Sequence, residues 1–518
     1  MHTPNTPVTK VIGVDFELSN SMVTDGVPDG SPDIAAELLL NEIRGYPLKQ
    51  SIRGPMTERG RRFLRNGGCA YIDLNHLELC TPCHGRAAEH PLYIHTALRI
   101  ARKAQIAAQA KLKQTKLMVI ANSSDGKVSY GSHLRHSVSR HLFRELHHHN
   151  YLLAGFWATH LVTSILYTGQ GAVGGANGRE PCNYQLAQRP DYFSRLFNLE
   201  TTQDRPIINL RDESHSATVA ATHTIYFDRV LCPGACYLQA VTSQLVLAMM
   251  EAGQADTSVA LADPVGSASA ISRDLGLQQQ FATVVPGRNM SAFQIQRAIC
   301  TQVQEFVASG KCGNAVPDAE AGVAFWSETL DLLERQEIAQ LAMRCDNWLK
   351  YLVIERQLSR RNKSWTSGEA KVLDILFGSL DPDQGIFFQM AALGNIEGMP
   401  TDDQIERALR TPPSDTRACL RAWLLRRFGE HIARMDWSYI DFDVPSGSSW
   451  RSVARLRLPD PRAFGMQHSF DLLHDHDSLT EIVDAVNAAA TRIEETGDIP
   501  YDEYAEPISA RPRHLDFS

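Results

Sequence analysis

The sequence predicts an α+β fold, because strand and helix patterns are mixed along its 518 residues without a regular βαβ alternation. Short apolar runs typical of strands occur at about 11–18, 69–75, 117–121, 207–211 and 222–228. Helical patterns occur at about 34–44, 92–112, 152–168, 236–251 and 478–496. The stretch 290–430 is mostly helical, with a break at two consecutive prolines. This uneven order does not favour a doubly wound parallel sheet.

Composition excludes several classes of protein. The net charge of −8 argues against a dedicated nucleic-acid binder, which normally carries a basic excess. No run of about 18 apolar residues is present, so no membrane span is expected. Residues 1–10 lack the apolar segment of a secretory signal. Ten cysteines in so long a chain do not form a disulfide framework. We therefore expect a reduced, cytoplasmic protein of enzyme size.

The first strand alternates apolar and acidic residues. Asp15 and Glu17 project from one face, and Phe16 and Leu18 project from the other. If the acidic face is buried, the two carboxylates are costly unless a divalent cation such as Mg²⁺ lies between them. The alternative is an edge strand with its acidic face in water. Residues 19–34, which are rich in Gly, Pro, Asp and Ser, are predicted to form a loop.

Three further segments concentrate reactive side chains. Asp73, His76 and Glu78 follow the second strand and can supply metal ligands and a base, although an ordinary polar strand end has the same composition. In the segment 129–133 a glycine lies near a histidine, which suits close approach of the backbone to a ligand. The segment 205–215 holds Arg, Asp, Glu and His after a strand. Such a set can clamp phosphate and metal, and a surface salt-bridge cluster is the alternative.

Three other sequence motifs do not support the binding functions that they would suggest in isolation. The Cys-Thr-Pro-Cys-His string at residues 80–84 matches a c-type haem attachment motif, but no export signal accompanies it. A zinc site would need a second pair, and Cys232 and Cys236 have the wrong spacing. Residues 169–174 satisfy GxGxxG but follow a helix-like segment rather than a strand. The histidine triplet 147–149 is interpreted as a solvated helix end.

Several segments match one known family in the same order. The first is Gly-Val-Asp-Phe-Glu at 13–17, against the family's Gly-Ile-Glu-x-Glu strand. Others are similar to its motifs at 66–73, 76–78, 129–133, 188–193, 201–215, 263–265 and 412–418. Over residues 11–475 the chain thus resembles the family of the Pup ligase and the Pup deamidase/depupylase, relatives of glutamine synthetase and γ-glutamyl-cysteine ligase.

Two features resemble the depupylase branch of that family. One is the spacing Asp73-x-x-His76-x-Glu78, and the other is the stretch 184–202. The interval between Asp15 and Asp73 is short for that branch, so its usual long loop is expected to be missing or reduced.

The chain also departs from the family pattern at charged positions. The family's His-Glu-Asn is His133-Leu134-Arg135 here, which loses a carboxylate. A second carboxylate is lost at residue 83, where the family's Pro-Glu-Cys is Pro-Cys-His. Two consecutive family arginines have become Ala220 and Ala221. Fewer such groups weaken charge compensation for metal and phosphate. A rebuilt nucleotide site, impaired catalysis and a new substrate are all compatible with these losses.

The resemblance implies a glutamine-synthetase-like curved antiparallel sheet packed by helices. It also implies ATP- and Mg²⁺-dependent chemistry on a glutamate or glutamine side chain of Pup or a Pup-like peptide. Asp73 would be the catalytic carboxylate, which attacks the amide or orients water. The implied metal ligands are Asp15, Glu17, Glu78 and His133. The implied nucleotide-binding residues are Arg211, His215 and Tyr71. Arg205, His76 and His223 would lie at the site's periphery.

The predicted organisation is a flexible leader (1–10), a catalytic domain (11–400), a small C-terminal domain (401–475) and an extra helix with an acidic tail (476–518). Three functional alternatives remain open. In the first, a ligase makes a γ-glutamyl phosphate that an amine attacks, with Asp73 as base. In the second, the same ligase chemistry serves an unrelated peptide or a small molecule. In the third, a degenerate member binds a peptide or partner without catalysis.

Overall fold

The computed structural model of the chain describes residues 6–47, 58–444, 452–474 and 476–500. The strands are β1 (Ile12–Thr24), β2 (Val27–Pro28), β3 (Tyr46–Pro47), β4 (Glu58–Phe63), β5 (Cys69–Asp73), β6 (His76–Cys80), β7 (Thr115–Ile120), β8 (Ser132–Val138), β9 (Ala172–Val173), β10 (Tyr184–Gln185), β11 (Phe193–Asn198), β12 (Arg205–Asn209), β13 (Ala220–Thr224), β14 (Gln280–Ala282), β15 (Asn289–Ser291), β16 (Ile432–Asp436), β17 (Tyr439–Val444) and β18 (Ser452–Arg457).

The helices are α1 (Pro32–Glu42), α2 (His90–Gln109), α3 (Arg140–Arg144), α4 (Tyr151–Thr163), α5 (Ile165–Thr168), α6 (Pro233–Glu251), α7 (Pro264–Arg273), α8 (Ala292–Ala308), α9 (Ala319–Glu334), α10 (Ile338–Arg344), α11 (Asp346–Arg361), α12 (Gly368–Phe377), α13 (Ile386–Ala392), α14 (Asp402–Ala408), α15 (Ala418–Phe428), α16 (Met466–Leu473) and α17 (Leu479–Thr496). Among the described residues, none of these helices is both long and apolar enough to cross a bilayer.

The main sheet runs in the order β11-β12-β13-β8-β1-β6-β5-β4-β3. Neighbouring strands from β12 to β3 pair antiparallel, whereas β11 and β12 are parallel. The other strands of this sheet, β2 and β7, pair with the far half of β1. The prediction of an α+β fold with an antiparallel sheet is therefore confirmed.

Strand β1 is central in this sheet and is 13 residues long. Its first half lies between β6 and β8, and Ser19–Thr24 pair with β7. The prediction of a loop over 19–34 is therefore wrong for residues 19–24, because the ladder of hydrogen bonds to β7 keeps this polar stretch extended. The edge-strand interpretation of Asp15 and Glu17 is also wrong, since β1 has a neighbour on each side.

The apolar face of β1 packs against helices. Phe16 and Leu18 are fully buried in the larger hydrophobic core, to which α1, α2 and α6 also contribute. Helix α6 is buried along nearly its whole length because it contacts α2, α8, α9 and β8. The helices cover this face of the sheet, so the acidic side chains of β1 must point to the opposite face.

A separate hydrophobic core joins the C-terminal elements to the main sheet. It contains residues of α15, α16 and α17 and of the small sheet β16-β17-β18, together with Phe63, Cys69 and Tyr71 of β4 and β5. Helix α17 packs on β18 and on α16, so it belongs to this core. We therefore propose that the C-terminal unit extends from α15 through α17, across the predicted boundary at 475. The acidic tail predicted after α17, at 501–518, lies outside the described residues.

The leader predicted over residues 1–10 is anchored where the structure describes it. The ammonium group of Lys10 is fully buried and forms an ion pair with Glu251 of α6. The same carboxylate accepts a hydrogen bond from the backbone N–H of Val8 at 2.8 Å. These contacts hold Val8 and Lys10 against α6. Residues 1–5 lie outside the described residues.

Several strands lie outside the segments predicted from the sequence. They are β4, β6 and β8 and the three strands of the C-terminal sheet. Charged or polar residues are frequent in β4 and β8, whereas β6 and β17 carry the alternating apolar pattern of a half-buried strand. Gly169–Gly174 leads from helix α5 into β9, not from a strand into a helix as in a dinucleotide-binding motif. The histidine triplet 147–149 ends a short π-helix, and His148 and His149 are exposed, as predicted.

Buried neutral histidines make the stability of this fold depend on pH. Burial lowers the pKa of His136 and His160 to about 3 and that of His84 and His95 to about 4, from an ordinary value of 6.5. Between these values the unfolded chain binds more protons than the folded protein, so stability falls as pH decreases. Each histidine contributes a slope of up to about 1.4 kcal/mol per pH unit.

We expect the free energy of unfolding to fall steeply between pH 6.5 and 5, as measured by urea denaturation at several pH values. His160→Gln should reduce the slope of this dependence by the contribution of one histidine, which is up to about 1.4 kcal/mol per pH unit. The matched control His148→Gln changes an exposed residue and should leave the dependence as it is. A free energy of unfolding that stays constant over this range would contradict the expectation.

Candidate active site

The register of the main sheet collects the reactive side chains on one face. Asp15 of β1 lies opposite Cys80 of β6 on one side and His133 of β8 on the other. Glu17 lies opposite Glu78, which in turn lies opposite Tyr71 of β5. Residues that lie opposite each other on adjacent strands point to the same face of the sheet, as do alternate residues along one strand. Segments far apart in sequence therefore meet in one polar patch.

Three carboxylates form the centre of this patch. Oxygen atoms of Glu17, Asp73 and Glu78 all lie within 4.8 Å of one another. Glu17 and Glu78 are buried, with 8% and 4% exposure, and Asp73 is half-buried at the end of β5. Burial, followed by repulsion from Asp15, Glu17 and Asp73, raises the pKa of Glu78 well above its ordinary value. Such mutual repulsion is the condition that a bound divalent cation relieves.

The donor set fits a hard divalent cation. All three groups offer carboxylate oxygens, the ligand type that Mg²⁺ prefers. Glu17 is already oriented, because one oxygen accepts a hydrogen bond from the Gly131 N–H at 2.9 Å and the other lies 2.7 Å from Nδ1 of His76. Burial alone would raise the pKa of Glu17, but the hydrogen bond and charge of His76 lower it. Glu78 accepts a hydrogen bond from the hydroxyl of Tyr71 at 2.8 Å.

Asp15 has different partners from the other carboxylates. Its Oδ1 lies 3.1 Å from Nδ1 of His133, and its Oδ2 lies 2.5 Å from Nη1 of Arg135. The other terminal nitrogen of Arg135 forms an ion pair with Glu213. Burial alone would raise the pKa of Asp15, but Arg135 and then His133 lower it well below the usual range. The charge of Asp15 is thus balanced by protein side chains.

Three other predicted site residues make contacts with groups other than the three central carboxylates. His223 is buried beside His133, with ring centroids 5.0 Å apart and perpendicular planes. Arg205 is half-buried and donates hydrogen bonds to the carbonyls of Ser129 and Thr201. Arg211 is half-exposed and lies 3.7 Å from Glu213.

Two predicted nucleotide-binding residues contact other groups. Tyr71 is 5% exposed, and its hydroxyl is directed to Glu78. His215 is exposed, and its backbone carbonyl accepts a hydrogen bond from Arg417 at 2.7 Å, next to the C-terminal unit. The structure therefore brings Tyr71 to the carboxylates, whereas His215 is held at the junction with the C-terminal unit.

The cysteines are free thiols, in agreement with the expected absence of a disulfide framework. Cys83 contacts Thr416, with its Sγ 3.6 Å from the threonine hydroxyl. Cys80 is buried, and its Sγ lies within 4.8 Å of carboxylate oxygens of Asp15 and Glu78. The two cysteines of the haem-like string therefore have separate surroundings.

Comparison with known proteins places this chain in a family. The family model described as "Pup-ligase protein" matches residues 9–441. The chain belongs to this family. A Pup deamidase/depupylase of Mycobacterium tuberculosis (strain CDC 1551 / Oshkosh) is 32% identical over 472 residues, covering 88% of this chain and 90% of the relative.

Two further relatives show the breadth of the family. A Pup–protein ligase of Mycolicibacterium smegmatis is 26% identical over 443 residues, covering 84% of this chain and 92% of the ligase. The crystal structure of the ligase PafA in complex with the Prokaryotic Ubiquitin-like Protein Pup superposes with a TM-score of 0.76. It is 20% identical and covers 98% of both chains. The fold is thus that of the family, and the identity is higher to the deamidase/depupylase than to the ligase.

Sequence reasoning missed the partners of Asp15. Arg135 departs from the family pattern, but that departure alone does not show that its side chain reaches Asp15 and Glu213. The signal was present in the spacing, because Arg135 and His133 are two residues apart on one strand and so share a face. The strand itself was not predicted, and the spacing therefore could not be used.

We expect Glu78→Gln to stabilise the metal-free protein by about 1–3 kcal/mol, because it removes a buried carboxylate from the repulsion of its neighbours. The same change should abolish any rise in melting temperature on addition of Mg²⁺, since it removes an anionic ligand. Thermal unfolding at pH 7.5 with and without Mg²⁺ measures both effects.

Glu305→Gln on the exposed face of α8 is the matched control and should change neither quantity. A destabilised Glu78→Gln protein that keeps its full response to Mg²⁺ would contradict the assignment of Glu78 to a cation site.

Proposed function

We propose that this chain is an ATP- and Mg²⁺-dependent amidohydrolase that acts on a side-chain amide or isopeptide bond of Pup or a Pup-like peptide. The observation that carries the proposal is the group of three carboxylates, Glu17, Asp73 and Glu78, on the sheet of a chain that belongs to this family. The higher identity to the deamidase/depupylase favours hydrolysis over ligation. The cytoplasmic location expected from the sequence remains part of the proposal.

The Mg²⁺ ligands proposed are Glu17 and Glu78, with Asp73 beside them. When bound, Mg²⁺ would neutralise the clustered carboxylates and stabilise developing negative charge. His76 and Gly131 hold the carboxylate of Glu17, and Tyr71 holds that of Glu78. Asp15 and His133 were also expected to be ligands, but they contact each other, and Asp15 is paired with Arg135.

Asp73 is proposed as the catalytic carboxylate. It is the last residue of β5 and is only half-buried, so a substrate amide can approach it from solvent. Its position opposite His76 in the β5–β6 hairpin keeps it next to Glu17 and Glu78. From there its carboxylate would either attack the amide carbon directly or accept a proton from an attacking water.

Cationic side chains near the carboxylates are proposed to face the nucleotide phosphates. Arg211 remains the candidate because its side chain is 40% exposed and lies beside the polar face. Arg205 would support this region from its hydrogen bonds to the loop that precedes His133. A direct nucleotide contact is not proposed for Tyr71, because its hydroxyl is committed to Glu78.

One observation favours a second candidate function. The pairing of Arg135 with Asp15 places a positive charge beside the carboxylates that would bind metal. This feature suits a member of the family that binds a peptide without turnover. The two candidates differ in whether the chain hydrolyses an amide bond.

We expect Asp73→Asn to reduce turnover at least about a hundredfold, because the amide can neither attack nor accept a proton. Deamidation of a Pup peptide with C-terminal glutamine, and cleavage of a Pup conjugate, measure the effect. ATP binding should be retained. Asp383→Asn changes an exposed aspartate and is the matched control. Full activity of the Asp73→Asn protein would refute the role of Asp73, and absence of turnover in the wild type would favour the binding candidate.

We expect ATP to bind more tightly with Mg²⁺ than without it, and Glu17→Gln to remove this difference. The carboxylate of Glu17 contributes to the cation site, and its loss should weaken Mg²⁺-dependent binding at least about tenfold. Isothermal titration calorimetry measures the affinities. Glu495→Gln, which changes an exposed residue of α17, serves as control. Equal ATP affinity of wild type and Glu17→Gln under both conditions would show that Glu17 does not hold the cation.

A further inference from the structure

Arg135 bridges two carboxylates on the functional face of the sheet. One terminal nitrogen lies 2.5 Å from Oδ2 of Asp15, and the other forms an ion pair with Glu213. The second nitrogen also lies 3.5 Å from Nε2 of His223. The side chain of Arg135 is only 23% exposed. The guanidinium therefore occupies a partly desolvated position between anionic groups, where its charge interacts strongly.

The surrounding strands fix this position. On β8, Arg135 lies opposite Gly13 of β1 on one side and opposite His223 of β13 on the other. Gly13 presents no side chain, and a Cβ atom there would meet nothing within 4 Å, so the long arginine side chain has room along the sheet surface. The guanidinium is thus held by two neighbouring strands and two carboxylates.

The charge of Arg135 is permanent under ordinary conditions. Burial alone would lower the pKa of Arg135, but Asp15 and then Glu213 raise it well above its ordinary value. In turn, burial alone would raise the pKa of Glu213, but Arg135 and then His223 lower it to about 2. The three groups form an ionised unit in which the two negative charges face one positive charge.

The pairing with Arg135 limits the capacity of Asp15 to bind a divalent cation. Oxygen atoms of Asp15 and Glu78 and the sulfur of Cys80 lie within 4.8 Å of one another, as they would around a second cation. However, Oδ2 of Asp15 already binds a guanidinium, and a thiol is a poor ligand for Mg²⁺. A divalent cation at this point would also be repelled by Arg135 at close range.

We propose that Arg135 is a resident cation that takes the place of a divalent ion at Asp15, so that this face of the sheet holds a single Mg²⁺ on Glu17 and Glu78, beside Asp73. The inference rests on the cation site of the proposed function, but it concerns the number of ions and not the reaction. Arg135 acts through Asp15 and is a positioning residue.

The test is a count of bound Mn²⁺, used as the probe for Mg²⁺, by electron paramagnetic resonance of the nucleotide-free protein. The wild type should bind one tight ion, and Asp15→Asn should still bind one. Arg135→Gln should bind two, because it frees Asp15. Arg135→Lys retains the positive charge and should restore the count to one. Arg140→Gln, which breaks an ion pair with Asp212 just past the end of the same strand, is the matched control and should bind one.

Two tight ions in the wild type, or loss of the tight ion in Asp15→Asn, would overturn the proposal. It would also be overturned if folded Arg135→Gln protein bound one ion. If Arg135→Gln does not fold, as judged by circular dichroism, the Asp15→Asn and Arg135→Lys counts still decide the question. Wild type that binds one ion but does not hydrolyse a Pup amide would refute the proposed function and leave this inference standing.

Discussion

The burial of two carboxylates on the central strand is the constraint on which the rest of the site depends. Asp15 and Glu17 lie on β1, with a strand on each side and with Phe16 and Leu18 sealed against helices behind them. Ionised groups at such positions need compensation by opposite charge or hydrogen bonds. Each neighbouring strand contributes to that compensation, and the composition of the polar face follows from this requirement.

The two carboxylates are compensated in different ways. Glu17 is surrounded by further carboxylates, an imidazole and a backbone N–H, which suits an added divalent cation. Asp15 instead meets Arg135, which neutralises it within the protein. The neighbouring strand β13 places His223 opposite Arg135 and contributes only the small side chain of Ala221 to the same face.

The C-terminal unit also bears on the site, through β5. Tyr71 packs in the hydrophobic core that this unit forms, and its hydroxyl donates to Glu78. The guanidinium of Arg61 lies 5.0 Å from the centre of the same ring. The orientation of a proposed metal ligand thus depends on packing with helices more than 340 residues later in the chain. This coupling gives the C-terminal unit a structural role in the site.

The fold class, the alternation along β1 and most long helices could be predicted from the sequence, because periodicity and capping are local properties. Asp15, Glu17, Asp73 and Glu78 could also be identified as candidates. The sequence could not show that β1 continues to Thr24 or that β8 exists, since pairing with distant strands holds these polar segments extended. For the same reason the contact between Asp15 and Arg135, 120 residues apart, was decided only by the register of the sheet.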